Sequence, residues 1–455
     1  MGLDQTVRLR IPAMPPPPPQ TGPGPDPAAP DATAAAGAAR PGRLSGSRAF
    51  WLVGAILILL LLSSSVPSPM YALYQQRWHF SATMLTVVFG IYAVAVLVTL
   101  LLFGSLSDTL GRRKVLLVAL VGEVVSMGLF IGARNVVWLL AARAVQGLAV
   151  GLATGATSAA LIELSPPHAP SRGTLLNSSG PTGGIAAGAL VAGLLVQFAP
   201  APTVLSYALL LVAFAGAFLG VLVMPETAPA ATGGLRIRPS RISVPPAARR
   251  SFALLSLALV AVWSVCGLYL SLGPSLATQI LHGAGPLVGG LTVALFAWIA
   301  TIGQIALGKL PPPRTAVIGV TSLMAGLVLV HAALTTRQAA VFFLGTAALG
   351  FGWGTAFLGA FRALAALASP ARRSELLAAV YVVAYLSMSA PAVLAGVLSG
   401  RWGLQRTAQA FIVVALALCA AALLGLAWMK ALARVRRRHA RARALTPEGR
   451  HRRRK

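Results

Sequence analysis

The chain has 455 residues, of which 57% are apolar and only 10% charged, where a soluble domain carries about 25% charged residues. That composition excludes a water-soluble fold, and apolar runs of roughly 20 residues in place of alternating strands of ~10 exclude a transmembrane barrel. A formal net charge of +28 would suggest a nucleic-acid partner in a soluble protein; here its distribution follows membrane topology instead.

Residues 1–48 are rich in Pro, Ala and Gly, with a run Pro15–Pro19. They predict a disordered, partly polyproline cytoplasmic tail. No signal peptide is expected, because the first apolar run begins near Phe50 and is too long for one. Six apolar spans follow at about 50–75, 81–103, 115–133, 136–162, 175–198 and 203–224. They predict a first six-helix bundle over 49–225. A basic cytoplasmic linker, 226–250, carries Arg236, Arg238, Arg241, Arg249 and Arg250. Spans 7 to 12 lie at about 252–278, 285–308, 314–334, 339–366, 376–399 and 407–429, a second bundle over 251–430. The last stretch, 431–455, is a polybasic cytoplasmic tail running from Arg434 to Lys455. Its expected partner is anionic lipid, at ~1 kcal/mol per nearby cation, and not nucleic acid.

Charge asymmetry supports twelve spans with both termini in the cytoplasm. One side holds 30 Lys and Arg, while the other holds Arg77, Arg134, Arg337, Arg401 and Arg406. With both tails set aside the ratio is still 13 to 5. Arg143 and Arg362 fall inside spans. The two halves also echo one another. Ser65-Val66-Pro67-Ser68 is similar to Leu272-Gly273-Pro274-Ser275, Gly104-Ser105-Leu106 to Gly308-Lys309-Leu310, and Pro181 to Pro391, at offsets near 207 residues. Such repeats build secondary transporters, with the substrate site between the halves at mid-membrane. The fold expected is an all-α membrane protein of two pseudo-symmetric six-helix bundles.

The break between spans 2 and 3 reads Gly104-Ser-Leu-Ser-Asp108-Thr-Leu-Gly111-Arg112-Arg113-Lys114. Gly104 lets its helix approach a neighbour. Asp108 stands at a helix end, where it can face the positive N-terminus of another. Gly111 permits a tight reversal, and Arg112 and Arg113 suit carboxylates. The pattern G-x-L-x-D-x-x-G-R-R-K resembles the loop 2–3 signature of the major facilitator superfamily, and about residues 50–430, without the two tails, resemble its bacterial small-molecule efflux members. The resemblance implies a cytoplasmic gate in which Asp108 meets the start of span 11. It also implies that the first arginine pairs with an acid at the inner end of span 4, the place where Glu163 stands. The second-half copy, Gly308 to Arg314, has no acid, so a weaker or hydrophobic gate is expected there.

Span 4 carries Arg143, Gln146 and a face of Gly147, Gly151 and Gly155 suited to close packing. Its R-x-x-Q-G segment resembles the family motif associated with proton coupling. A buried arginine usually faces a partner or an aqueous cavity, although Arg143 could instead reach the outer interface. Glu123 lies near mid-depth in span 3 and is a second proton-coupling candidate, with a structural pairing as the alternative. In span 5, Gly180-Pro181-Thr182-Gly183-Gly184 looks like the family's antiporter motif with one residue missing, and a helix bend is expected there. Pro225-Glu226-Thr227 matches a family triplet and is read as a helix breaker. By the resemblance the cavity lies between spans 1, 4, 7 and 10, whose polar and aromatic candidates are Ser64, Tyr71, Gln146, Trp263, Tyr269, Ser271 and Trp353. Each has a core or interfacial-belt role as its alternative. Spans 1, 7 and 10 hold no acid, which favours amphipathic or neutral compounds, or anions drawn to Arg143, over hydrated cations.

The sequence shows no Walker loop, no metal-ligand spacing among its histidines, and two lone cysteines, Cys266 and Cys419, in apolar spans. No enzyme activity, cofactor or metal is expected. What the resemblance implies is a monomeric secondary transporter of the inner (plasma) membrane, driving proton-coupled efflux of a small organic or amphipathic compound as an antiporter. Proton-coupled uptake, facilitated diffusion, and a non-transporting sensor or scaffold are the alternatives.

Overall fold

A computed structural model of the protein describes residues 44–169, 171–228, 242–281, 285, 287–367 and 373–445. The expected disordered tail up to residue 43, linker residues 229–241 and the last ten residues of the basic tail lie outside the described residues. What is described is helical, with no strand among the described residues. The first half holds α1 (Gly46–Ser65), α2 (Pro67–Trp78), α3 (Ala82–Phe103), α4 (Leu106–Leu110), α5 (Arg112–Ile131), α6 (Val136–Glu163), α7 (Ser171–Phe198) and α8 (Pro202–Leu222). The second holds α9 (Arg249–Ser271), α10 (Gly273–Ile280), α11 (Leu287–Leu307), α12 (Pro312–Thr336), α13 (Ala339–Ala365), α14 (Arg373–Trp402) and α15 (Leu404–Leu445). Among the described residues, twelve helical segments are long and apolar enough to cross a bilayer.

Spans 1 and 7 are each made of two helices. Span 1 divides at Val66 into α1 and α2, and span 7 at Leu272 into α9 and α10. Pro67 and Pro274 occupy the first turn of the new helix in each case, the place where the missing N–H costs nothing. These are the prolines of the internal repeat, so the repeat writes the same break into both halves. By contrast α7 runs through Pro181 and α14 through Pro391 as single helices.

Polar side chains start two helices at the membrane surface. Ser81 Oγ accepts from Met84 N at 3.2 Å to begin α3, and Asn135 Oδ1 accepts from Val137 N at 3.1 Å to begin α6. The predicted glycine face of α6 lies on α3. A Cβ at Gly151 would stand 2.7 Å from Thr99 Cβ and 2.9 Å from Val96 O, so the approach of those helices requires glycine there.

Two buried cores result, one mainly in each half. They interlock at one end of the molecule. Phe89, Ala93, Ile185 and Ala189 of the first half join the second core, and Leu268, Leu272 and Ala395 of the second half join the first. Five of the seven lie toward the end opposite the 104–114 loop, and Ala93 and Ile185 stand at the middle of α3 and α7.

Candidate functional site

The charged loop folds around one arginine. Arg112 Nη1 donates to Asp108 Oδ1 at 2.5 Å and to Ser107 Oγ at 2.6 Å, and Nη2 donates to Glu163 Oε1 at 3.1 Å. The Arg112 side chain is only 11% exposed and that of Asp108 is 62% exposed. The buried guanidinium is therefore the hub, and the outer Asp108 pair, in water, contributes little by itself. Gly111 turns the chain with φ 92°, and a Cβ there would meet Glu226 Oε2 at 2.6 Å. That carboxylate caps α5, accepting from Arg112 N at 2.8 Å and Arg113 N at 3.2 Å. Thr227 Oγ1 donates to Glu163 Oε2 at 2.6 Å. The Pro-Glu-Thr triplet thus does more than end a helix: it fastens α8 and the start of the linker to α5 and α6. Arg113 closes the ring, donating to Val221 O at 3.1 Å and to Leu222 O at the C-terminal end of α8. Glu226→Ala removes a two-bond cap and is expected to cost about 1 kcal/mol. Thermal unfolding in detergent should show a lowered midpoint, with Glu226→Gln falling between the two. An unchanged midpoint would count against the cap.

The second half solves the same turn differently. Arg362 Nη1, at the end of α13, donates to Gly308 O at 2.8 Å and to Leu310 O at 3.3 Å, covering carbonyls left free at the end of α11.

At mid-depth in the first half, a chain of side chains joins three helices. Arg143 Nη1 donates to Gln146 Oε1 at 2.7 Å and to the carbonyl of Ser64 at 2.9 Å. Gln146 Nε2 donates to Ser63 Oγ at 3.4 Å, and Ser63 Oγ lies 3.4 Å from Glu123 Oε2. Glu123, Gln146 and Ser63 are fully buried and Arg143 is 1% exposed, with its guanidinium carbon 4.6 Å from the centre of the Tyr92 ring. The arginine turns into the bundle rather than out to the interface.

In the second half, α9, α11, α13 and α14 share a continuous cluster of aromatic rings, with Tyr269, Phe296 and Trp353 buried in the core. Tyr269 stacks on Phe296 at 4.9 Å and Phe296 on Trp353 at 4.8 Å. Trp353 meets Trp263 edge-on at 6.3 Å, and Trp263 lies against Phe357 and Tyr385 at 5.2 and 6.2 Å. Tyr385 packs against both cores. The indole N–H groups of Trp263 and Trp353 are buried without an acceptor.

The sequence model of the Major Facilitator Superfamily matches residues 53–390. The chain belongs to the Major Facilitator Superfamily. It is a multi-pass membrane transporter, not an enzyme. No curated protein sequence matches it. Solved transporters share the fold. A bacterial homologue of the human lysosomal transporter Spinster, inward-facing and unoccupied, gives a TM-score of 0.70 at 14% identity over 84% of this chain and 97% of its own. The human organic anion transporter MFSD10 gives 0.62 at 18% identity, and the nucleoside transporter NupG 0.67 at 10%, each over 84% of this chain and 100% of the other.

Within this superfamily fold the candidate residues fall into separate groups. Asp108, Arg112 and Glu163 meet, while the Arg113 side chain turns to the end of α8; the partners described for them belong to the first half and the start of the linker, and the stretch just before α14 lies outside the described residues. Arg143, Gln146 and Glu123 are joined through Ser63, which the sequence did not single out; the neighbouring Ser64 hydroxyl binds its own helix, at Leu61 O, 2.8 Å away. Tyr71 is buried in the first core. Ser271 donates to Gly267 O at 2.6 Å, within its own helix. The segment Gly180 to Gly184 lies against the other half, Thr301 Oγ1 donating to Thr182 Oγ1 at 2.8 Å. Nothing in the sequence ties those two threonines together. Among the described residues no three His, Cys, Asp or Glu side chains are grouped to hold a metal.

Proposed function

We propose that this transporter couples protons to the export of a small amphipathic organic compound. The observation that carries the reading is the buried chain from Arg143 to Glu123. Ser63 has one hydroxyl proton, and Leu60 O lies 2.8 Å away to take it. With that proton on Leu60 O, the lone pairs of Ser63 face Gln146 Nε2 and Glu123, and in this reading a protonated Glu123 donates to the Ser63 oxygen. The second carboxyl oxygen of Glu123 has no partner, a position that suits a neutral acid far better than a carboxylate. Loss of that proton would turn the Ser63 hydroxyl from its own helix toward Glu123. The charge state of α5 is thereby read by α1, the helix whose Ser64 carbonyl also holds Arg143.

The substrate class is read from these two groups of side chains. One offers a guanidinium and hydrogen-bonding groups, the other stacked rings and two unused N–H donors. A compound with a flat apolar body and an acceptor group matches both. Positive charge supports a cytoplasmic position for the 104–114 loop and both termini, and the reading takes the protein as a plasma-membrane monomer with its basic tail beside anionic lipid. The Asp108, Arg112, Arg113 and Glu163 cluster serves as the inner latch. Export is supported by the likeness of the Gly180–Gly184 segment to the antiporter motif. Reconstituted vesicles under an imposed pH gradient, screened with flat aromatic compounds, test the reading. We expect substrate-dependent proton movement opposite to the compound. Transport without proton movement would remove coupling, and movement of both in one direction would remove export.

A further inference from the structure

We propose that a membrane phospholipid seats one acyl chain in a recess between α1, α7 and α8, with its ester carbonyl on Ser206. The recess has a volume of about 200 Å³ and is lined by Leu59 and Leu62 of α1, Val191 and Leu195 of α7, and Ser206 and Ala213 of α8. Every lining side chain but one is apolar. The exception is Ser206, which is 3% exposed and whose hydroxyl has no partner. Serines inside helices usually turn back onto a preceding carbonyl, as Ser63, Ser65 and Ser271 do here. Ser206 instead presents its donor in an apolar hollow, where an unmade hydrogen bond is costly.

Depth and opening select the occupant. Ser206 lies four residues into α8, roughly 6 Å along its axis at 1.5 Å per residue. The 21 residues of α8 span about the ~30 Å of a hydrocarbon core. The hydroxyl is thus near the level where glycerolipid esters meet their chains. The rim is greasy and turned outward, Leu209 being 52% exposed and Val191 43%, so the hollow is entered from the bilayer side. An acyl chain supplies the filling and its ester the acceptor. The site is separate from the Arg143 chain and does not depend on proton coupling.

The test uses the full chain in vesicles containing a phosphatidylethanolamine with a diazirine in one acyl chain. Photolabelled peptides should concentrate on 59–66, 191–195 and 206–213, above the lipid-facing surface of α12 around Val328. Ser206→Ala should lower that labelling roughly two- to tenfold, the range one hydrogen bond supplies. Ala213→Trp, which fills the hollow from its exposed side, should remove the enrichment and leave α12 unchanged. Uniform labelling of all lipid-facing helices, or enrichment indifferent to both substitutions, overturns the proposal. Enrichment with a diazirine fatty acid but not with the phospholipid overturns the assigned ligand.

Discussion

Glu123→Gln should bring substrate-driven proton movement down to the level of empty vesicles while substrate exchange across the membrane continues. Glutamine is close in shape to the neutral acid. It can keep the contact with Ser63 and so hold α1 and α5 as they stand. It cannot release a proton. Exchange needs only the two halves to rock with the compound bound, so it should stay within a few-fold of the parent. Measured together in reconstituted vesicles, with a pH-sensitive dye and labelled compound, the two readouts separate coupling from folding. Persistent proton movement in this variant would move the coupling site away from Glu123.

Gly290→Leu should hold the transporter open at the end opposite the charged loop. A Cβ at Gly290 would stand 2.7 Å from the carbonyl of Ala189 and 2.7 Å from Gly193 Cα. Backbone meets backbone there, so α7 and α11 can only part. Overpacking of this kind costs about 1–3 kcal/mol, and applied to one of two alternating states it shifts their ratio roughly 5- to 150-fold. Ile185 lies close by at 8% exposure. In a background with Cys266 and Cys419 replaced by serine, Ile185→Cys should react with a membrane-impermeant thiol reagent at least severalfold faster once Gly290→Leu is added. Gradient-driven transport should fall at the same time. Unchanged reactivity would show that this contact is not the seal.

Much of the architecture could be read from the chain alone, because the bilayer imposes it. Length and hydropathy locate the spans, and alternating charge numbers them. The repeated Pro67 and Pro274 mark where helices 1 and 7 break, although a continuous apolar run hid the break itself. The link between Arg112 and Glu163 followed from family likeness, since no local rule joins residues in separate helices. What stayed hidden depends on rotation and distance. Ser63 and Ser64 differ by about 100° around one helix, and only packing shows which of them faces Glu123. Thr182 and Thr301 are ordinary threonines until α7 and α11 are laid side by side. Glu226 looked like punctuation because its partners, the N–H groups of Arg112 and Arg113, stand more than a hundred residues earlier. The aromatic cluster needed four helices in place before its rings could touch.

The different handling of the two matching turns has a consequence for the solution outside. One is tied by carboxylates that water reaches, held on a single buried guanidinium, the other by a cation resting on backbone dipoles. Dissolved salt weakens the first kind of tie and has less hold on the second. Raising ionic strength therefore acts on one side of the pseudo-twofold axis, so a transporter built from near-copies answers its surroundings lopsidedly.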